Sequence, residues 1–221
     1  MPRIARVVVP EIPHHITQRG NRNQTVFFSD EDRVAYLELI KRFSRQNRVK
    51  IWAYCLMDSH VHFVAVPDAG EDLRGCFQEA HRLYTRRINF SEGWRGYLWQ
   101  GRFASFPMDE KYLVAAIRYV ERNPIVAGIV NKAEDYSRSS AKAHIFKLQD
   151  PLLSPCFLSE EILDWSSFLQ DEDDGDVKIL EKSIRTGRPL GSINFVDQLE
   201  SLLCRDLKRK KPGRRPRALV N

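Results

Sequence analysis

The sequence predicts an α+β fold: one antiparallel sheet in the β-α-β-β-α-β order of a ferredoxin-like split βαβ unit, with helices on one face and a small helical C-terminal extension. Three observations carry the prediction. Strand-like and helix-like stretches follow one another in that order up to residue 108, and a further helix follows. Two of the strands, 49–57 and 60–66, are separated only by Asp58 and Ser59, which makes a tight antiparallel hairpin. After about residue 150 the β-rich texture gives way to helix-like segments around an acidic spacer, "DEDDGD" at 171–176.

Residues 12–28, "IPHHITQRGNRNQTVFF", read as a strand, a polar turn around Gly20 and a second short strand or edge segment. Ser29 or Asp30 then caps a helix over 31–47, whose apolar stripe is Val34, Leu37, Ile40 and Phe43. The hairpin of "VKIWAYCLM" and "HVHFVAV" follows, then a helix over 71–90 with Leu73, Phe77 and Leu83 for its buried face. A further strand is expected over 97–108, with a break near Gly101. The helix over 109–123 opens on acids and is expected to close at Pro124. Helix-like stretches at 158–169 and 194–203 complete the chain, and 208–221 has little apolar content to order it. Two units are therefore expected, 1–150 and a basic-tailed helical extension over 151–221.

The chain of 221 residues is 43% hydrophobic, enough for a real core. No apolar run approaches the ~18 residues of a membrane span, and the N-terminus lacks the pattern of a secretory signal. A cytoplasmic location is the default expectation. Cys55, Cys76, Cys156 and Cys204 are scattered, with no CxxC pair, which excludes a zinc ribbon or a disulfide framework. The net charge of +6 favours a polyanionic partner, nucleic acid first.

His60 and His62 lie two apart in a strand, so their imidazoles point to the same face and can reach one metal ion. A lone strand histidine is ordinarily a hydrogen-bonded structural residue. Two in phase in so apolar a run would each bear the ~1–3 kcal/mol of an unpaired buried polar group. Spacing alone leaves a metal role and a structural role open. His14 and His15 face opposite sides and cannot chelate together, so a structural role or a substrate contact is expected of them.

On the helix over 109–123, Leu113, Ile117 and Val120 form the buried stripe, and Tyr119 lies at its edge with Asn123 one turn on. A tyrosine oxygen can attack a phosphodiester and form a covalent phosphotyrosine. A divalent ion can polarise the phosphate and orient it for in-line displacement. The residue that accepts the phenolic proton is not identifiable from the sequence.

With these residues in place, "ARVVVPEIPHHITQRGNRNQTVF", "HVH", "LWQGRFAS", "RYVERNPIVAGIV" and "YSRSSAKAH" together resemble the REP-associated tyrosine transposases, a single-tyrosine group of the HUH endonuclease superfamily. These stretches span residues 3–144. The resemblance implies Tyr119 as nucleophile, and His60, His62 and Asn123 as ligands of Mg²⁺ or Mn²⁺. It also implies cleavage of single-stranded DNA beside imperfect hairpins, with a 5′-phosphotyrosine, a free 3′-OH and strand transfer. Asp58-Ser59 departs from the Pro-Asn that such relatives often carry before the first histidine, which touches the turn and not the ligands.

A single strand needs cations for its phosphates and π faces for its bases. Arg19 and Arg22 flank Gly20, and "WRGYLWQGRF" interleaves Trp94, Tyr97 and Trp99 with Arg95 and Arg102. Trp99 is expected in the core. Arg82, Arg86 and Arg87 add cations on a helix. "TGRPLG", with Arg188, and "PGRRPR", with Arg214 and Arg215, are expected to contact DNA, as an extended minor-groove segment or a phosphate clamp. Two other readings compete: a domesticated binder that grips hairpins without cutting, and a phosphohydrolase in which water attacks and no adduct forms. Nothing in the sequence decides between a monomer and a symmetric pair.

Overall fold

A computed structural model describes residues 4–171 and 174–209. The sheet has four strands, β1 (His14–Arg19), β2 (Val49–Met57), β3 (His60–Pro67) and β4 (Ala104–Pro107), in the antiparallel order β2-β3-β1-β4 expected of a split βαβ unit. Asp58 and Ser59 form the two-residue turn between β2 and β3. β1 sits at the centre of the sheet and sets the register of the site, with Thr17 opposite His62 and Arg19 opposite His60.

β3 is apolar on both faces and needs cover on both. Val61, Phe63 and Ala65 turn towards α1 (Asp30–Gln46) and α2 (Glu79–Ser91), and join Tyr36, Ile40, Phe77 and Tyr84 in one core. These two crossover helices occupy one face, as expected. The opposite face carries α3 (Glu110–Val126), whose Leu113, Ile117 and Val120 pack on Val64 and Phe106.

Ser29 caps α1: its side chain accepts from the Asp32 amide, and the Asp32 carboxylate accepts from the Phe28 amide. The 71–90 region forms one wide π-helical turn, Arg74–Gln78, before α2. The strand expected over 97–108 shrinks to Ala104–Pro107, because Gly96 and Gly101 take positive φ and make the preceding stretch a loop. Trp99 is buried, and Gly20 bridges it.

The end of α3 also departs from expectation. Pro124 lies inside the helix, which runs one turn further to Val126. Its real stop is Gly128, at φ +67°. The Gly128 amide bonds the Ile125 carbonyl and the Ile129 amide bonds the Pro124 carbonyl, each at 2.9 Å, the paired bonds of a Schellman motif. Proline forfeits one bond, and this cap fixes where the helix ends.

The segment after 150 is helical, as expected, but does not stand apart. It forms α5 (Leu158–Glu161), α6 (Trp165–Gln170), α7 (Asp174–Thr186) and α8 (Ile193–Leu203), after the short α4 (Ala141–Ile145). Trp165, Leu169, Leu180 and Leu190 enter the same core as Ile117 and Val120. The last three residues of the acidic stretch, 174–176, lie in α7. A buried carboxylate ties the pieces together. Glu121, fully buried on α3, accepts hydrogen bonds from Ser140 Oγ, from His144 Nδ1 at 2.6 Å and from Trp165 Nε1 at 2.7 Å.

Candidate active site

β3 carries His60 and His62 on the face covered by α3, and the α3 edge carries Tyr119 towards them. The two imidazoles are perpendicular, with ring centroids 5.0 Å apart. Tyr119 stands edge-on to His62, 5.4 Å between centroids. Asn123 lies one turn along α3, and its side chain acts on both the His60 ring and the Tyr119 phenol. The structure thus brings together Tyr119, His60, His62 and Asn123.

His15 is the residue that sequence reasoning assigned only a structural or substrate role. Its ring stacks on His62 at 5.2 Å, and its Nε2 lies 3.1 Å from His62 Nδ1. Both rings are buried. Ser59 Oγ lies 3.1 Å from His60 Nδ1 in the same way. His60 and His62 are thus each engaged through Nδ1. His62 Nε2 is fully buried and has no hydrogen-bond partner. A buried imidazole nitrogen kept bare while its twin is held by a neighbour is the arrangement metal-ligating histidines use. The signal for His15 lay in strand parity, since residues 15 and 17 share a face and Thr17 lies opposite His62. His14, on the other face, is structural: Nδ1 is 2.7 Å from the Ile12 carbonyl, and Nε2 accepts from the Val9 amide.

Electrostatics keep the imidazoles neutral. Burial and the nearby Arg19 charge hold His60 down to about 4, against smaller pulls from Asn123 and Asp58. Burial holds His62 well below its ordinary value, with His15, His60 and Arg19 adding to it. Neutral imidazole is the ligating form. Burial raises the Tyr119 phenol; Asn123 opposes it, the Glu181 carboxylate adds to it and Arg19 opposes it. Among the described residues, no three His, Cys, Asp or Glu side chains are set to hold a metal. Asn123 carries the nearby amide oxygen that could join the two imidazoles around a cation.

His62 and Tyr119 line a cavity of about 320 Å³, with Arg19, Arg102, Glu181 and Arg185 at its walls. Of the arginines expected to contact DNA, Arg19 and Arg102 reach this cavity. Arg22, in the turn after β1 with φ +55°, and Arg95 are exposed beside it in the chain. Trp94 is partly exposed against Phe28, and Tyr97 is largely exposed. Arg87 pairs with Asp32 and Arg82 with Glu79. Arg188 does not lie in an open extended segment. Its guanidinium donates to the carbonyls of Leu207 and Lys208, and Leu190 bridges Met108, so "TGRPLG" is a folded connection between α7 and α8. Arg214 and Arg215 fall outside the described residues. Among the described residues, no helix is long and apolar enough to cross a membrane.

No curated protein sequence matches the chain. Among solved structures, a REP-associated tyrosine transposase bound to a REP hairpin shares the fold. Its TM-score is 0.54 and its identity 18%, over 71% of this chain and 93% of that one. A candidate transposase from Deinococcus radiodurans R1 aligns more loosely, at TM-score 0.39 and 16% identity, over 55% of this chain and 97% of that one. The family model for IS200-like transposases matches residues 8–123, a stretch that holds both site histidines, the tyrosine and the asparagine. By that match over more than half its length, the chain belongs to the IS200-like transposase family.

Proposed function

We propose that this protein is a metal-dependent, HUH-type single-tyrosine endonuclease and strand transferase that cuts single-stranded DNA at hairpin-forming repeats. The observation that carries the proposal is the cluster of His60, His62 and Tyr119 rings with Asn123 one turn on along α3, where His62 and Tyr119 line one cavity and His62 Nε2 is buried and bare. The fold shared with a transposase bound to a REP hairpin supports hairpin DNA as the substrate class.

Tyr119 Oη attacks the scissile phosphorus, the bond to O3′ breaks, and the strand leaves a free 3′-OH and a 5′-phosphotyrosine. The phenol's raised proton affinity makes proton loss the demanding part of this step. Asn123 opposes that rise, and Arg19 favours the anion as it forms. His60, His62 and Asn123 would hold Mg²⁺ or Mn²⁺. When bound, the ion supplies charge against the phosphate oxygens and orients the group for in-line displacement. His15 and Ser59 fix the two rings through their Nδ1 atoms, which leaves His62 Nε2 available. Because the phosphotyrosine keeps the energy of a diester, attack by another 3′-OH rejoins strands and regenerates the phenol.

A labelled hairpin oligonucleotide with single-stranded flanks, incubated with Mn²⁺ and run under denaturing conditions, tests this. A protein-linked band that is absent in EDTA and in Tyr119→Phe is expected. Hairpin binding with neither adduct nor product means a non-cleaving binder. Product without adduct means that water is the nucleophile.

A further inference from the structure

The family match ends at residue 123, yet a wall of the catalytic cavity comes from far beyond it. Glu181, Ile184 and Arg185, all on α7, line the cavity together with His62 and Tyr119. α7 is fixed there by its own packing. Leu180 and Ser183 are buried, and Leu180 enters the core formed by α3. Just before α7, Asp171 is gripped from α3: its carboxylate pairs with Arg118 at 3.0 Å, and its carbonyl accepts from Arg122 at 2.8 Å. The cavity wall is therefore built into the fold.

Among the described residues, the charges that meet at this cavity are three guanidiniums and one carboxylate: Arg19 from β1, Arg102 from the loop before β4, and Arg185 and Glu181 from α7. Arg19 and Glu181 are felt by the Tyr119 phenol. Glu181 would repel a phosphate on its own side. Arg185, one turn further along α7 than Glu181, offers an exposed cation at the same cavity. We infer that α7 is part of the strand-binding site, and that Arg185 contacts a backbone phosphate next to the scissile one. The inference rests on the single-strand reading proposed above, and assigns to the C-terminal segment a direct share in holding the substrate.

The test is the salt dependence of binding, measured by fluorescence anisotropy on the full chain in a Tyr119→Phe background, where no cleavage intervenes. Each phosphate contact on a single strand contributes about 0.7 to the slope of log K against log salt. Arg185→Ala is expected to lower the slope by about that amount. Arg185→Lys, which keeps a point charge, is expected to restore most of it. Lys182→Ala removes the same charge from the same helix but does not line the catalytic cavity, and is expected to leave the slope unchanged. An unchanged slope in Arg185→Ala overturns the inference, as does an equal loss in Arg185→Ala and Lys182→Ala, which would mean a diffuse field. A parent that binds no single strand defeats the function proposed above and this inference with it. A parent that binds, with Arg185 silent, defeats this inference alone.

Discussion

Replacing His15 by phenylalanine keeps a buried ring against Phe106 and Tyr119 but removes the nitrogen that holds His62. The bond lost spans 3.1 Å between two fully buried rings, where water cannot substitute. Its net worth is about 1 kcal/mol, and the abandoned His62 Nδ1 adds a desolvation cost of roughly 1–3 kcal/mol. His62 can recover that cost by turning its ring towards another partner, which withdraws Nε2 from the site. The expected result is a loss of about 10- to 100-fold in Mn²⁺ affinity, the usual effect of removing a partner behind a metal-ligating histidine. Calorimetric titration of Mn²⁺ into the protein without DNA measures it directly, and His62→Ala defines the floor. His15→Gln, which can still bond Nδ1, should retain most of the affinity. Mn²⁺ binding within twofold of wild type in His15→Phe would refute the positioning role.

Three further outcomes follow from the packing. Glu121→Ala orphans His144 Nδ1 and Trp165 Nε1 at once and leaves Ser140 Oγ only its bonds to the Tyr54 main chain, and should cost about 3–5 kcal/mol, lowering Tm by roughly 10 °C in a dye-based melt; a drop under about 2 °C would count against the buried network. Gly128→Ala meets no neighbouring atoms but is forced to φ +67°, so a loss of about 1 kcal/mol from backbone strain alone is expected; wild-type stability would show that the cap relaxes. His14 and His81 are held by burial at about 4 and about 3, well under the ordinary 6.5. Below pH ~6.5 the unfolded chain takes up protons that the folded chain refuses, so their share of stability is intact above that pH and is lost as pH falls towards 4. At pH 5 the loss is about 2 kcal/mol for each histidine, and chemical denaturation that is flat from pH 7 to 5 would contradict it.

Much of the site was legible because its signals are local. The two-residue period of β3 puts His60 and His62 on one face, and the four-residue step of α3 puts Asn123 beside Tyr119. That the two pairs meet was legible only through the family resemblance, since it depends on which sheet face α3 covers. His15 escaped because its role depends on the β1–β3 register, which neither strand encodes alone. Glu121 reads as one more solvent-facing acid on a helix. Its three partners lie 19, 23 and 44 residues away, beyond any local pattern. The stretch "YSRSSAKAH", noted for its resemblance, turns out to hold two of them, Ser140 and His144. The docking of the C-terminal helices on α3 is hidden for a related reason. A helix that docks by a few apolar residues, such as Leu180, looks like an independent module until its partner surface is known. Likewise "TGRPLG" carries the composition of an open segment, while Arg188 spends its donors on two main-chain carbonyls.

Where the nucleotide ends up on the protein separates attack by Tyr119 from every alternative. Trypsin releases Tyr119–Arg122 as a four-residue peptide, because Arg118 precedes it and Arg122 closes it. After reaction with a hairpin substrate and Mn²⁺, then nuclease trimming, mass spectrometry should find a 5′-phosphonucleotide on that peptide and on no other. The label on another tyrosine, such as Tyr112 or Tyr136, or cleaved DNA with every tyrosine unmodified, would contradict the account.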